Sequence, residues 1–320
     1  MRSFMLRAAR WWLSSLQDIG GWRTSLGLLT LVPGLILLSG DRGSVEAEEY
    51  SAYSDPKKTA IAVILSEKQN IDQFEEHFGL SEGQVDDVLA ATRRENRALA
   101  REFGESERVL AANKDLSKSE LKKKIAASDY GEKVAAAVAR TKRKVEAILP
   151  EDQSADLEAW VDEQWDQEVR DASSETYMAS SYHPNGLRCK VFATQYTGHT
   201  SHEVALPHRR LKFGRQPGVK IRRVSGGPRV WARTKEVGPW NTYDNYWARR
   251  KHRTMWKSVP RCKPEAQVAY YKNFNGGKDE FGREVLNPAG IDVTRSVARN
   301  MGLKRYQNAW VYVRFPWVHR

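Results

Sequence analysis

Between Thr59 and about Val169, apolar side chains recur three or four positions apart, as in Ile71, Phe74 and Phe78 and again in Val85, Val88 and Leu89. That period places them on one stripe of a helix and predicts a small module of amphipathic helices. The punctuation agrees with it. Ser81 stands three residues before Gln84 and Ser117 three before Glu120, the spacing at which two side chains satisfy each other's free amides at a helix start, and Pro150 ends a third helix. From Tyr177 the texture changes: short β-rich runs, Lys190–Ala193, Gly218–Val224, Arg229–Thr234 and Ala309–Phe315, alternate with Gly, Pro and Asn turns. One helix interrupts them at Thr294–Met301, with Thr294 as N-cap and Gly302 just past its end. The pattern is α+β, with the helical and the barrel-like halves separate in sequence.

The amino terminus fits neither half. Thr24–Gly40 is uncharged, preceded by Arg2, Arg7, Arg10 and Arg23 and followed by Asp41. Its apolar heart falls short of the roughly 20 residues of a membrane span, and Pro33 with Gly34 interrupts it, which suits a secretory segment. Val45–Ala47 offers a small-residue cleavage site, while Trp11, Trp12 and Trp22 keep an uncleaved anchor open. The expected division is a signal peptide or signal anchor at 1–47, a helical module at 55–170 and a barrel domain at 177–320. The body is expected to be extracytoplasmic, touching the membrane only through an uncleaved anchor.

Charge sharpens the boundary. Residues 41–176 carry 31 acidic and 20 basic side chains, whereas 177–320 carry 8 acidic and 28 basic, so the overall +12 conceals an acidic module joined to a barrel of net +20. The phrase HFGLSEGQVDDVLAA resembles the turn of a helix-turn-helix, but an acidic module lacks the cationic surface that DNA affinity requires. A spacer, or a dock for a protein partner, is its expected role. The basic half suits an anionic wall polymer; by composition alone it equally suits nucleic acid, against which export argues. Cys189 and Cys262 have no Cys-x-x-Cys spacing and stand either as one disulfide closing a long loop or as two buried thiols. His199, His202 and Asp244 match no standard metal spacing, so neither metal nor cofactor is expected.

The run Ala205–Trp240, ALPHRRLKFGRQPGVKIRRVSGGPRVWARTKEVGPW, followed by Gly290–Leu303, GIDVTRSVARNMGL, resembles the double-psi β-barrel of rare lipoprotein A, and Ala179–Tyr182 fits that family's opening strand. The resemblance covers roughly the last 140 residues and implies a closed six-stranded barrel that handles peptidoglycan. It places His208 on the family's histidine, Glu236 on the aspartate of its Asn-Asp-Arg-Gly-Pro motif and Asp292 on the aspartate of its Ile-Asp-Leu-Ser motif. Three departures stand out. Glu replaces Asp at 236, Val237 stands where the family has Arg, and the insertion Asn241–Glu284 is longer than the family's loop. No cysteine stands directly after the apolar segment, so the lipid anchor of a true rare lipoprotein is not expected.

The resemblance implies His208, Glu236 and Asp292 as catalytic candidates in one groove. Arg209 and the loop aromatics Trp240, Tyr243, Tyr246 and Trp247 are the candidate sugar contacts, with the insertion as a groove wall. A lytic transglycosylase needs only one carboxyl, because the sugar's own 6-hydroxyl is the nucleophile, whereas hydrolysis usually needs two. Structural readings stand beside each: Glu236 as an ion pair before a Gly-Pro turn, Asp292 as a helix-start acid, His208 as a surface histidine. The expected function is binding of peptidoglycan glycan strands, with cleavage as a lytic transglycosylase or glycoside hydrolase if the carboxylates act. A non-catalytic, expansin-like binding module and a basic nucleic-acid-binding protein are the alternatives.

Overall fold

The computed structural model describes residues 60–174, 180–183 and 186–318; the expected signal or anchor at 1–47 and Ala179 lie outside these. Six helices come first: α1 Ala60–Ile64, α2 Lys68–His77, α3 Glu82–Ala112, α4 Lys118–Ala126, α5 Tyr130–Glu146 and α6 Asp156–Ser174. Both expected capping boxes form, Ser81 with Gln84 on α3 and Ser117 with Glu120 on α4. The stripe read from the sequence is the buried one, and Phe74 and Phe78 meet Trp160 of α6 at ring distances of 4.9 and 6.2 Å. At 31 residues α3 is the longest helix described, roughly 46 Å from end to end.

The second half contains β1 Ser180–His183, β2 Gly186–Tyr196, β3 Glu203–Leu206, α7 Arg209–Lys212, β4 Gly218–Arg223, β5 Val230–Val237, α8 Glu265–Lys272, β6 Ala289–Thr294, α9 Arg295–Asn300 and β7 Ala309–Phe315. Six strands close in the order β2, β6, β3, β5, β4, β7, with β7 returning to β2, and β1 extends β2 as a hairpin outside the ring. The expected six-stranded closed barrel is therefore present. Two of its ladders are parallel, β2 with β6 and β3 with β5, and the other four are antiparallel. Alternation sends Val191, Val204, Leu206, Val219, Ile221, Ile291, Val293, Val311 and Val313 inward to a common core. The neighbours of these residues point outward, and those of β3 and β6 include Ala205 and Asp292.

The helices do not stand clear of the barrel as a spacer would. Phe192, Trp240, Tyr270, Tyr271 and Trp310 of the second half share one hydrophobic cluster with Phe74, Leu99, Trp160 and Trp165 of the first. The insertion supplies much of the mortar: Trp165 packs edge-on against Tyr270 at 5.2 Å, and the Tyr271 hydroxyl donates to Glu168 at 2.9 Å. The insertion itself is ordered around buried charge. Arg253 pairs with Asp244, which also accepts from the Glu265 amide at 2.7 Å, and Arg283 pairs with Asp279 and reaches Glu107 of α3. Cys189 of β2 and Cys262 of the insertion form a disulfide, which resolves the two readings of these cysteines.

Candidate functional site

A cleft of about 1230 Å³ lies between α3 and the outer wall of the barrel. Its barrel side is built at two irregularities. The β2–β6 ladder shifts register between Phe192 and Ala193, and the β3–β5 ladder between Val204 and Ala205. Bulges of this kind re-aim side chains, and after these two Thr194 stands opposite Asp292 while Ala205 stands opposite Glu236. Ala205 is also paired with Asp292 across its other ladder. The two carboxylates thus flank one small residue on neighbouring strands, their Cα atoms roughly 10 Å apart, and both line the cleft.

Their surroundings differ. Asp292 is buried, accepts a short hydrogen bond from the Thr194 hydroxyl, and has Gly238 close on its other side, where an added Cβ would lie 3.5 Å from Oδ2. Loss of water pushes its carboxyl up to about 7, and the Glu107 charge across the cleft adds to this, against the Thr194 hydrogen bond. Glu236 is partly exposed and bound at 2.5 Å to Lys212, with His199 Nε2 at 3.3 Å, so its ion-pair reading holds. Asp292 does not cap α9: the helix starts at Arg295 behind Thr294, whose hydroxyl donates instead to the Ser201 carbonyl at 2.7 Å.

His208 is not brought to this cleft. It is buried against Tyr243 and Trp247, with Nε2 3.3 Å from the Thr254 hydroxyl, and burial together with Arg210 holds it below the usual histidine range. Arg209 also lies outside the cleft, its guanidinium over the Phe213 ring. Of the four aromatics expected to stack on sugars, Trp240 lines the cleft, edge-on to Phe103 at 4.9 Å. Tyr246 and Trp247 are buried with Phe315 in the barrel core, where the stacked Trp247–Phe315 pair leaves no face for a ligand, and Tyr243 is exposed away from the cleft. The reason is the insertion, which folds back on the barrel as a packed lobe rather than arching over the site. It builds no wall of the cleft, since none of residues 241–285 lines it; α3 does that instead.

The residues that pattern reading missed are those of this second wall. Arg94, Arg97, Arg101 and Arg108 of α3 line the cleft, with Arg140, Arg295 and Arg305 around it. The four on α3 recur at helical spacing, a signal visible in the sequence but submerged in the acidic total of the module. A second missed residue is Glu203, which is buried and accepts from the Tyr196 hydroxyl, the Thr200 hydroxyl and the amides of His199 and Thr200. Burial opposes its charge, but those four hydrogen bonds hold it below the ordinary carboxylate range and shape the loop that rims the cleft. Among the described residues no cluster of His, Cys, Asp and Glu is arranged to hold a metal ion: His202 pairs with Asn300, and Asp244 is buried on Arg253.

A family model described as a domain of unknown function, DUF8814, matches residues 185–314, the span from β2 to β7. No curated protein and no solved structure matches the chain.

Proposed function

We propose that this is an exported wall protein that binds peptidoglycan glycan in the cleft between α3 and the barrel and cleaves it as a lytic transglycosylase, with Asp292 as the single acid and base. The observation that carries this reading is a carboxyl pushed up to about 7 on the floor of an open cleft. Such a group holds a proton at neutral pH and releases it without a large cost in either direction. In the reaction it protonates the glycosidic oxygen as the bond from C1 breaks. The resulting carboxylate then takes the proton of the C6 hydroxyl as that oxygen closes on C1, leaving an anhydro sugar and consuming no water. Glu236, held by Lys212, supplies negative charge near the oxocarbenium-like centre rather than the proton.

Two further observations support the setting. A six-stranded closed barrel with parallel ladders β2–β6 and β3–β5 is compatible with the double-psi arrangement that the resemblance implies. The Cys189–Cys262 disulfide suits an oxidising compartment.

Digestion of purified glycan strands with the full chain tests the reading. Anhydromuramyl ends are expected, with loss of about 10²- to 10⁴-fold in Asp292→Asn while its melting temperature is retained. Reducing ends would make the protein a hydrolase; binding without products, in wild type and variant alike, would make it an expansin-like binder; absence of binding would reject the proposal.

A further inference from the structure

The outer face of β2, β4, β5 and β7, outside the cleft, carries ranked cations without matching acids among the described residues. Lys220 of β4 stands directly opposite Arg314 of β7, and Arg314 directly opposite Arg188 of β2, so three cations form one cross-strand row at about 4.8 Å per strand. Arg222 lies two residues along β4, opposite Tyr312, and Arg233 lies two residues along β5 from Trp231. Like charges directly opposed on one sheet face destabilise it. No acidic residue occurs in β2, β4 or β7, and none of these five cations makes an ion pair among the described residues.

The same face carries flat aromatic surface. Trp231 is 49% exposed and lies flat on Gly218, where an added Cβ would come within 2.0 Å of the indole. Lys220 sits 5.8 Å above that ring, and Arg188 is 4.7 Å from the centre of the Tyr312 ring. Aromatic rings beside ranked cations suit a polymer that alternates sugar faces with anionic groups, because guanidinium binds carboxylate through paired hydrogen bonds and a flat indole covers a sugar ring.

We infer that this face is a second binding site, distinct from the cleft, for the carboxylate-bearing peptide stems and sugars of wall glycan, and that it keeps the protein on the insoluble polymer. The inference rests on the proposed wall function for the choice of polyanion; the disulfide, which suits a compartment without nucleic acid, favours that choice on separate grounds.

The test uses the full chain and insoluble peptidoglycan, with a second batch whose carboxyls have been amidated. Wild type is expected to pellet with the first and to lose about tenfold or more in affinity for the second and for Lys220→Gln/Arg222→Gln/Arg314→Gln. That variant should melt at a higher temperature than wild type, because the opposed charges are gone, and should release product from short soluble glycans at the wild-type rate. If Arg314→Gln impairs folding, Lys220→Gln/Arg222→Gln, both exposed positions, gives the same comparison with a smaller loss. Equal binding to both batches, or a lower melting temperature in the exposed-pair variant, would overturn the inference. So would a single-stranded oligonucleotide that binds more tightly through these residues. Soluble-glycan cleavage that fails in wild type instead removes the cleft reading and leaves the pelleting result to be judged on its own.

Discussion

Among the described residues the buried aspartates fall in two regions, the insertion and the cleft floor, and their company separates them. In the insertion, burial raises the cost of charge on Asp244, but Arg253 and the Glu265 amide oppose it, and Arg253 also donates to the carbonyls of Val259, Pro260 and Lys263. Asp279 is matched in the same way by Arg283. On the cleft floor Asp292 is also buried, yet its side-chain partner is a hydroxyl and the like charge of Glu107 opposes its ionisation. A buried acid matched by a guanidinium is a structural element. One left without a cation, facing a cleft, is the candidate for the proposed chemistry.

Removing Arg253 should give the largest effect. Arg253→Met strands the Asp244 carboxylate in the interior and is expected to cost about 3–5 kcal/mol, read from urea denaturation, whereas a loss below about 1 kcal/mol would show that the insertion tolerates an unmatched acid.

Asp292 should respond to pH in the sense of a raised carboxyl. The native state keeps a proton that the unfolded chain has released, so stability is full below about pH 4 and falls as pH rises toward 7, by about 4 kcal/mol at most. Glu95 and Glu265, both raised to about 8 by burial, slope the same way, so the readout is the difference between wild type and Asp292→Asn. The variant's melting temperature should fall less between pH 5 and 8. Parallel curves would mean that Asp292 is already ionised in the fold.

Glu236→Gln should have the smallest effect on stability, about 1 kcal/mol or less, because its pair with Lys212 is partly open to water. A larger loss would move Glu236 into the structural class of Asp244.

Much of this architecture is written locally. The α3 and α4 caps, the apolar helical stripes and the strands β4 and β7 follow from spacing and turn residues, and the expected and observed bounds of β7 coincide. β3 and β6 show no alternation of their own and were legible only through the family motif. All their residues are buried, one face toward the barrel core and the other toward the cleft and helices, so the period of two disappears. The site was legible in part. Asp292 and Glu236 were found in their motifs, whereas His208, Tyr246 and Trp247 were carried away from the cleft by an insertion that packs instead of arching.

Spacing, capping and composition determined two halves of opposite charge and most of their element types, and the resemblance to a family motif marked a pair of acids. What those acids become depended on contacts between residues far apart in the chain. Only when α3 lies along the outer wall does Asp292 lose its water, face Glu107 and share a cleft with the arginines of that helix. Desolvation is a property of what surrounds a group from every side, and no local pattern of residues records it.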